Sequence, residues 1–453
     1  MLFERIESEG LAHYSYIFGH NKEAFVIDPR RDIDIYLFLA TRKGYKIKYI
    51  FETHRNEDYI IGSRELSEKT GAEIFHADSG LDYRYGYEVS DGQEWKTGSY
   101  KIKAIYSPGH TRGSMSYLLF DVSLSPWILF SGDALFAGDV GRVDLLGKVK
   151  MKEMAQMLYD TIFHKFFSLG EGVIVCPAHG AGSVCGGEIA DRPWTTIGLE
   201  QKLNPKLQFT EEKDFIKNIS KDLERPYYFK QMERLNVEGA PVLGSLPVPV
   251  PLSPGEFSKE KKDAVVLDSR METDFAGSHV PGSISIWEGG IPAFAGWFLP
   301  YDKKILLVNK TDDPLSVVKL LIRIGYDNIA GYLSGGMLSW NTYGKESASI
   351  ETIRVQNLCE LLDKGEKIVI LDVRGEEEIK AKGKIPDALN VPVTQLYERM
   401  DEVPKEKDVC VFCGSGLRSM MAASLLKKEG WDNLKVALGG LAGWTSNTCP
   451  VDL

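Results

Sequence analysis

The second half of this 453-residue chain repeats itself. Asp268-Ser-Arg270 recurs as Asp372-Val-Arg374, and Gly335-Gly-Met-Leu-Ser-Trp340 as Gly439-Gly-Leu-Ala-Gly-Trp444, both 104 residues later. Between them His279-Val-Pro-Gly matches Lys384-Ile-Pro-Asp, and Gly325-Tyr-Asp-Asn matches Gly430-Trp-Asp-Asn, at an offset of 105. Two tandem α/β modules of about a hundred residues follow, a size that supports independent cores. Ahead of them, residues 243–254 are Pro-dense and suit neither a central strand nor a helix. The pattern predicts a first domain over 1–242, a Pro-rich linker over 243–256, and modules over 257–347 and 350–453.

In the first half, three short segments each close an apolar run that reads as a buried strand. They are Thr53-His54 after residues 47–51, Ser107-Pro108-Gly109-His110 after 102–106, and Ser131-Gly132-Asp133 after 127–130. Groups at the carboxyl ends of several strands converge on one crevice of an α/β fold. Two imidazoles and one carboxylate leave open coordination positions, the arrangement associated with non-haem Fe(II) and oxygen. The pattern predicts a metal held by His54, His110 and Asp133.

Residues 53–59, Thr-His-Arg-Asn-Glu-Asp-Tyr, resemble the His-x-His-x-Asp-His motif of the metallo-β-lactamase superfamily. Residues 107–113 and 131–134 resemble its next two motifs, and Pro177-Ala178-His179-Gly180 the fourth. The resemblance implies an αββα sandwich. The chain departs from it at Asn56 and Tyr59, where two-metal members carry His. An amide and a neutral phenol are poor ligands for a transition metal at neutral pH. A second ion would keep only Asp58, His179 and a bridging Asp133. In the persulfide dioxygenase branch the matching His, His and Asp hold one iron, so the resemblance implies one Fe(II) per chain, with zinc as the alternative. It also implies that Arg142 contacts the thiol substrate, a surface salt bridge being its bland reading. Asp58 and Tyr59 are expected as accessory groups near the metal, and His179 as a remnant of the second site, a hydrogen bonder behind the ligands or a substrate contact. Cys185, in the small-residue run 181–187, is either a thiol that holds or passes on sulfur or a small apolar residue in a tight loop.

The last module carries Val411-Phe412-Cys413-Gly414-Ser415-Gly416-Leu417-Arg418-Ser419 ahead of a helical stretch. A strand entering a Gly-rich loop that opens a helix points successive N–H groups at one spot. The helix N-terminus and Arg418 both favour thiolate at Cys413, and thiolate is the sulfur nucleophile. The module resembles rhodanese, the persulfide-carrying sulfurtransferase fold. Four residues separate Cys413 from Arg418, as in sulfur-transferring rhodaneses, where related oxyanion-handling loops have five. The resemblance makes Cys413 the persulfide carrier. Arg418 then stabilises its charge together with Gly414, Ser415, Gly416, Leu417 and Ser419. In the first module, position 309 is Asn and no thiol, glycine or arginine stands in 309–314, which implies an inactive rhodanese-like copy acting as spacer or interface. The fold expected is therefore multidomain α/β, a metallo-β-lactamase sandwich followed by two rhodanese-like domains.

This module order resembles the bacterial persulfide dioxygenase–rhodanese fusions. It implies oxidation of a low-molecular-weight thiol persulfide to sulfite with O2, and sulfur exchange at Cys413 with a thiol or with sulfite, giving thiosulfate. One rival is a zinc-dependent thioester hydrolase of the glyoxalase II kind, which the altered second site disfavours. Another is a sulfurtransferase with a relic metal domain. A net charge of −10 argues against sequence-independent nucleic-acid binding. No apolar run approaches the roughly 18 residues that span a bilayer, and the N-terminus lacks a signal-peptide pattern, so a cytoplasmic protein is expected. Self-association is left open. Six cysteines form no disulfide framework at this length, and reduced thiols are expected, with Cys410 in the core. The pairs Asp268/Arg270 and Asp372/Arg374 read as structural ion pairs, and His279 as structural.

Overall fold

Two strand-rich sheets with opposed apolar faces build the first half of the chain. The computed structural model describes residues 1–78, 80–183, 185–192, 194–446 and 449–451, so Asp452 and Leu453 of the expected last domain lie outside it. It divides into two compact units, 1–246 with 322–325, and 247–321 with 326–453.

In the first unit, one sheet runs β1 (Leu2–Ser8), β2 (His13–His20), β3 (Glu23–Ile27), β4 (Lys46–Phe51), β5 (Glu73–His76) and β6 (Tyr87–Glu88), paired in that order. Helices α1 (Asp34–Lys43) and α2 (Ser63–Thr70) connect its parallel strands. The other sheet comprises β7 (Glu94–Thr97), β8 (Tyr100–Tyr106), β9 (Met115–Phe120), β10 (Pro126–Gly132), β11 (Ile174–Pro177) and β12 (Thr195–Thr196), again in sequence order. Side chains alternate along each strand and so serve two cores. Phe18, Phe25, Phe51 and Phe75 meet Tyr117, Leu119, Ile128 and Phe130 between the sheets. Their neighbours Ile17, Val26, Ile50 and Ile74 pack instead with Tyr36 and Ala40 of α1 and Leu66 of α2. Leu118 and Leu129 pack with Met154 and Leu158 of α3 (Lys148–Tyr159). Each such fully buried side chain contributes about 1.5–3 kcal/mol. The layers are helix, sheet, sheet, helix, the αββα sandwich expected. Helix α4 (Ile197–Leu203) is capped by Thr196, whose hydroxyl accepts from the Leu199 amide. Helices α5 (Glu212–Ile219) and α6 (Phe229–Glu238) complete the unit.

The second unit contains the repeat as two sheets of one topology. The first has order β13-β17-β16-β14-β15, from β13 (Val250–Leu252), β14 (Ala264–Asp268), β15 (Ile284–Ser285), β16 (Lys304–Val308) and β17 (Ile329–Leu333). The second has order β18-β22-β21-β19-β20, from β18 (Glu351–Arg354), β19 (Val369–Asp372), β20 (Leu389–Asn390), β21 (Val409–Phe412) and β22 (Leu434–Leu438). All pairs are parallel. The helices of the first copy are α7 (Pro254–Glu260), α8 (Glu272–Gly277), α9 (Ile291–Phe298), α10 (Leu315–Arg323) and α11 (Gly336–Thr342). Those of the second are α12 (Val355–Asp363), α13 (Glu376–Lys382), α14 (Leu417–Lys428) and α15 (Gly440–Ser446). Both expected ion pairs form: Arg270 and Arg374 each hold both carboxylate oxygens of Asp268 and Asp372, at 2.6–3.0 Å. His279 donates to the Phe275 carbonyl and stacks on that ring. Cys410 is buried in β21.

Two expectations need correcting. The Pro-dense stretch is not only a connector: Val250–Leu252 is an edge strand paired with β17, and Ser253 and Glu256 form a capping box that opens α7. An edge strand tolerates Pro251, and Pro254 suits the first helical position because its missing N–H would be unpaired there. Reduced thiols were expected throughout, yet Cys359 of α12 is joined by a disulfide to Cys449, 90 residues on. Packing of α12 against the end of the chain brings their Cα atoms to 6.1 Å, a separation sequence spacing does not reveal. Among the described residues, no helix is long and apolar enough to cross a membrane.

Candidate functional site

His54 follows β4, His110 follows β8, and Asp133 follows β10, so two sheets deliver their strand ends to one point. All three side chains are buried. Asp133 Oδ2 lies 3.7 Å from His54 Nε2 and 3.5 Å from His110 Nε2. Each imidazole is fixed from behind. The single hydroxyl proton of Thr53 goes to Asp28 Oδ2 (2.7 Å), so its oxygen accepts from His54 Nδ1 at 2.8 Å. His110 Nδ1 donates to the Arg142 carbonyl at 2.9 Å. Both rings therefore carry their proton on Nδ1 and aim an Nε2 lone pair inward, as metal-binding histidines do. Neither Nε2 has a hydrogen-bond partner. These donors fit a single divalent transition metal.

Glycine and helix geometry hold the loops in place. Gly132 adopts φ +56°, and a Cβ there would meet the Thr53 side chain at 2.8 Å. Gly109 presses on Leu158 of α3, where any Cβ would come within 2.5 Å of the Leu158 side chain. Beyond α3 the chain winds on as a π-helix, Asp160–Phe166, whose Thr161 hydroxyl donates to the Pro108 carbonyl.

The second set of groups is arranged differently. His179, after β11, donates from Nδ1 to Asp133 Oδ1 at 2.8 Å, while its Nε2 lies 3.2 Å from Asp58 Oδ2. Burial alone would lower the His179 imidazole, but Asp133 and Asp58 outweigh it and raise it well above the ordinary value. Burial would likewise raise the Asp133 carboxyl, yet His179 and His54 hold it well below the carboxylate range. Asn56 turns its amide to the His54 carbonyl, and Tyr59 packs on His13, ring centroids 4.0 Å apart. The Cys185 sulfur lies within 4.8 Å of ligand atoms of His110 and Asp133, and of Asp58 and His179; burial pushes this thiol up. The Arg142 guanidinium is bound bidentately to Asp144, both contacts 2.7 Å.

In the second unit, Cys413 follows directly on β21 and is fully buried. Its sulfur accepts from the Gly416 amide at 3.1 Å, and Gly416 takes φ +119° to bring that N–H round. The opposing Gly439-Gly440 turn holds the loop by its carbonyls: the amides of Leu441, Ala442 and Gly439 donate to Cys413, Gly414 and Ser415. Gly440 has φ +47° and stands so close that a Cβ would lie 2.4 Å from the Cys413 oxygen. With its carbonyls tied outward, the loop keeps N–H groups for an anion. Arg418, one residue into α14, pairs with Glu378 of α13 at 2.8 Å.

The rhodanese-like domain family matches residues 253–343 and again 355–447. A solved structure described as a metallo-β-lactamase from Staphylococcus aureus subsp. aureus COL is 30% identical, with TM-score 0.64, covering 74% of this chain and 98% of that one. The chain belongs to the fusions of a metallo-β-lactamase fold with rhodanese-like domains. Over 217 residues it is 29% identical to the bovine (Bos taurus) protein named Persulfide dioxygenase ETHE1, mitochondrial, spanning 46% of this chain and 76% of that protein. Over 102 residues it is 34% identical to a sulfurtransferase of Allochromatium vinosum, 22% of this chain and 94% of that protein. Over 147 residues it is 36% identical to a hydroxyacylglutathione hydrolase of Brucella ovis, 31% of this chain but only 56% of that protein.

The first rhodanese-like copy of the fusion has a different loop. Asn309 follows directly on β16, and its Oδ1 accepts from the Ser269 hydroxyl. Gly335, the counterpart of Gly439, donates to the Asp312 side chain instead of a loop carbonyl. Three residues beyond the sequence reading also join the metal site: Asp28 behind Thr53, His13 against Tyr59, and Glu57, buried with Oε2 3.5 Å from His110 Nε2. Only Asp28, in an Ile-Asp-Pro at the end of a strand, left a signal that could have been followed.

Proposed function

We propose that the first unit is a persulfide dioxygenase with one Fe(II) held by His54, His110 and Asp133, and the last module a sulfurtransferase acting through Cys413. The observation that carries the first part is the pair of imidazoles locked on Nδ1, with both Nε2 atoms unpartnered beside Asp133 Oδ2. Asn56 and Tyr59 at second-metal positions favour one ion. When bound, the iron would supply open positions for O2 and substrate and pass electrons between them. The overall reaction balances as RSSH + O2 + H2O giving RSH, sulfite and two protons. Thr53 and the Arg142 carbonyl engage Nδ1 of the two imidazoles and so turn each Nε2 towards the site, and the buried crevice excludes bulk water. Cys185 is close enough to the site to hold or pass on sulfur, and Arg142 is proposed for the thiol moiety. In the last module, the Cys413 thiolate attacks the outer sulfur of a thiol persulfide; the S–S bond breaks, the thiol leaves, and the enzyme persulfide's charge is met by loop amides and Arg418. Attack by sulfite on the outer sulfur returns the thiolate and releases thiosulfate.

The likeness to the hydroxyacylglutathione hydrolase favours a second reading, a zinc-dependent thioester hydrolase. Metal analysis with two substrates separates the two. His110→Ala, which deletes one of three ligands, is expected to lose iron and persulfide-dependent O2 uptake together. Anaerobically purified protein that holds stoichiometric zinc, takes up no iron and hydrolyses a thioester would reject the dioxygenase reading.

A further inference from the structure

We infer that Glu57 is a fourth protein ligand of the metal held by His54, His110 and Asp133. The inference rests on the mononuclear site proposed above and adds to it a residue at a position the His-x-His-x-Asp-His pattern leaves unspecified.

Glu57 is 0% exposed. A carboxylate taken fully out of water needs a hydrogen-bonded or ionic partner for its charge. Its Oε1 has only a long contact, 3.4 Å from Arg55 Nη2, and Arg55 binds Glu233 more closely at 2.8 Å. Its Oε2 has no hydrogen-bond partner and stands 3.5 Å from His110 Nε2, itself without one. Because His110 gives its Nδ1 proton to the Arg142 carbonyl, the facing Nε2 presents a lone pair. Two acceptors aimed at each other in a dry site repel unless a proton or a metal ion lies between them, and at 3.5 Å this pair is at the far limit of a hydrogen bond. Asp133 Oδ2 faces the same nitrogen at the same 3.5 Å. Ligand atoms of His54, Glu57 and His110 all lie within 4.8 Å of one another. Donors about 2.1 Å from one ion stand roughly 3–3.5 Å apart when adjacent, so Glu57 sits at the spacing of an adjacent ligand.

The chemical consequence is specific. Two carboxylates balance the charge of a divalent ion, and four protein donors leave two positions of an octahedron instead of three. The chain lacks the two second-site imidazoles at Asn56 and Tyr59, and gains a hard oxygen donor at the first site, which suits Fe(II) or Mn(II) better than a thiolate-rich zinc centre.

The test uses the full chain, stripped of metal and titrated with Co(II) by equilibrium dialysis, with melting temperature read with and without Co(II). Wild type is expected to bind one equivalent, and His110→Ala to lose binding. Glu57→Gln should weaken Co(II) affinity by at least the roughly 10–100-fold seen when ligand support is altered. It should also abolish most of the Co(II)-induced rise in melting temperature while the metal-free protein melts no lower than wild type. Glu57→Asp, which keeps the charge but withdraws the oxygen, should also weaken binding, and is decisive if Glu57→Gln does not fold. Affinity within threefold of wild type in the glutamine variant, or a lowered metal-free melting temperature with an intact Co(II) response, would overturn the inference and leave the three-ligand site standing. Wild type that binds no Co(II), or His110→Ala that binds it normally, would instead overturn the mononuclear reading.

Discussion

Thr53 does more for the metal site than its residue type suggests. Its hydroxyl passes the Asp28 charge to His54 Nδ1, which fixes both the ring's orientation and the nitrogen left for metal. Burial raises the Asp28 carboxyl to about 6, so at neutral pH it is mostly ionised and able to accept. Thr53→Val keeps the shape and removes the relay. It is expected to lower metal affinity about 10–100-fold, checked by metal content after dialysis against a weak chelator. Asn56→Ala and Tyr59→Phe should leave metal content unchanged, since Asn56 reaches only the His54 backbone carbonyl and Tyr59 packs on His13. His54, His110 and Asp133 could be read from sequence because each closes an apolar strand within a recognisable motif. Glu57, at an unspecified motif position, could not, and Asp28 left only an Ile-Asp-Pro at a strand end, 25 residues upstream of its partner. Arg142 was legible only by position, for its guanidinium is engaged by Asp144 and its carbonyl orients His110.

At the scale of elements, one topology carries two unlike loops. Both copies place a strand, a loop and a helix in the same order, and the repeat made this readable. Their loops diverge through side chains that compete with backbone. Three amides of the Gly439-Gly440 turn bind the carbonyls of the Cys413 loop, whereas Asp312 intercepts the Gly335 amide in the silent copy. The silent loop also runs longer, from Asn309 to the start of α10 at Leu315, against Cys413 to the start of α14 at Leu417. A thiol installed at 309 would meet neither a converging set of amides nor an arginine. The Asn309→Cys, Cys413→Ser double variant is therefore expected to show no sulfur transfer from thiosulfate, and mass spectrometry no stable persulfide at 309. The edge strand β13 escaped the sequence reading for a related reason. Proline density is informative about central strands, but an edge strand needs donors on one side only.

Taken whole, the chain joins a buried His-His-Asp cluster and a cysteine loop that share no residue. His54, His110 and Asp133 all lie within 1–246, and the Cys413 loop, its Gly439-Gly440 brace and the Glu378 partner of Arg418 all lie within 326–453. The silent copy supports the active one directly: the Ser285 amide of β15 donates to the buried Ser424 hydroxyl of α14, the helix the Cys413 loop opens. That contact lets the first copy brace the helix that the Cys413 loop opens. Cys413→Ser replaces a buried sulfur by a hydroxyl of similar shape and leaves the brace intact, so it should abolish sulfur transfer from thiosulfate while O2 uptake with a small thiol persulfide stays within about twofold of wild type, the range of a change that removes no metal ligand. The variant should release sulfite where wild type gives thiosulfate, because sulfite then meets no enzyme-bound sulfane sulfur. An oxygen electrode and ion chromatography on one reaction mixture read both. Loss of O2 uptake in step with sulfur transfer would mean that Cys413 takes part in oxidation, and that the two units work as one active site.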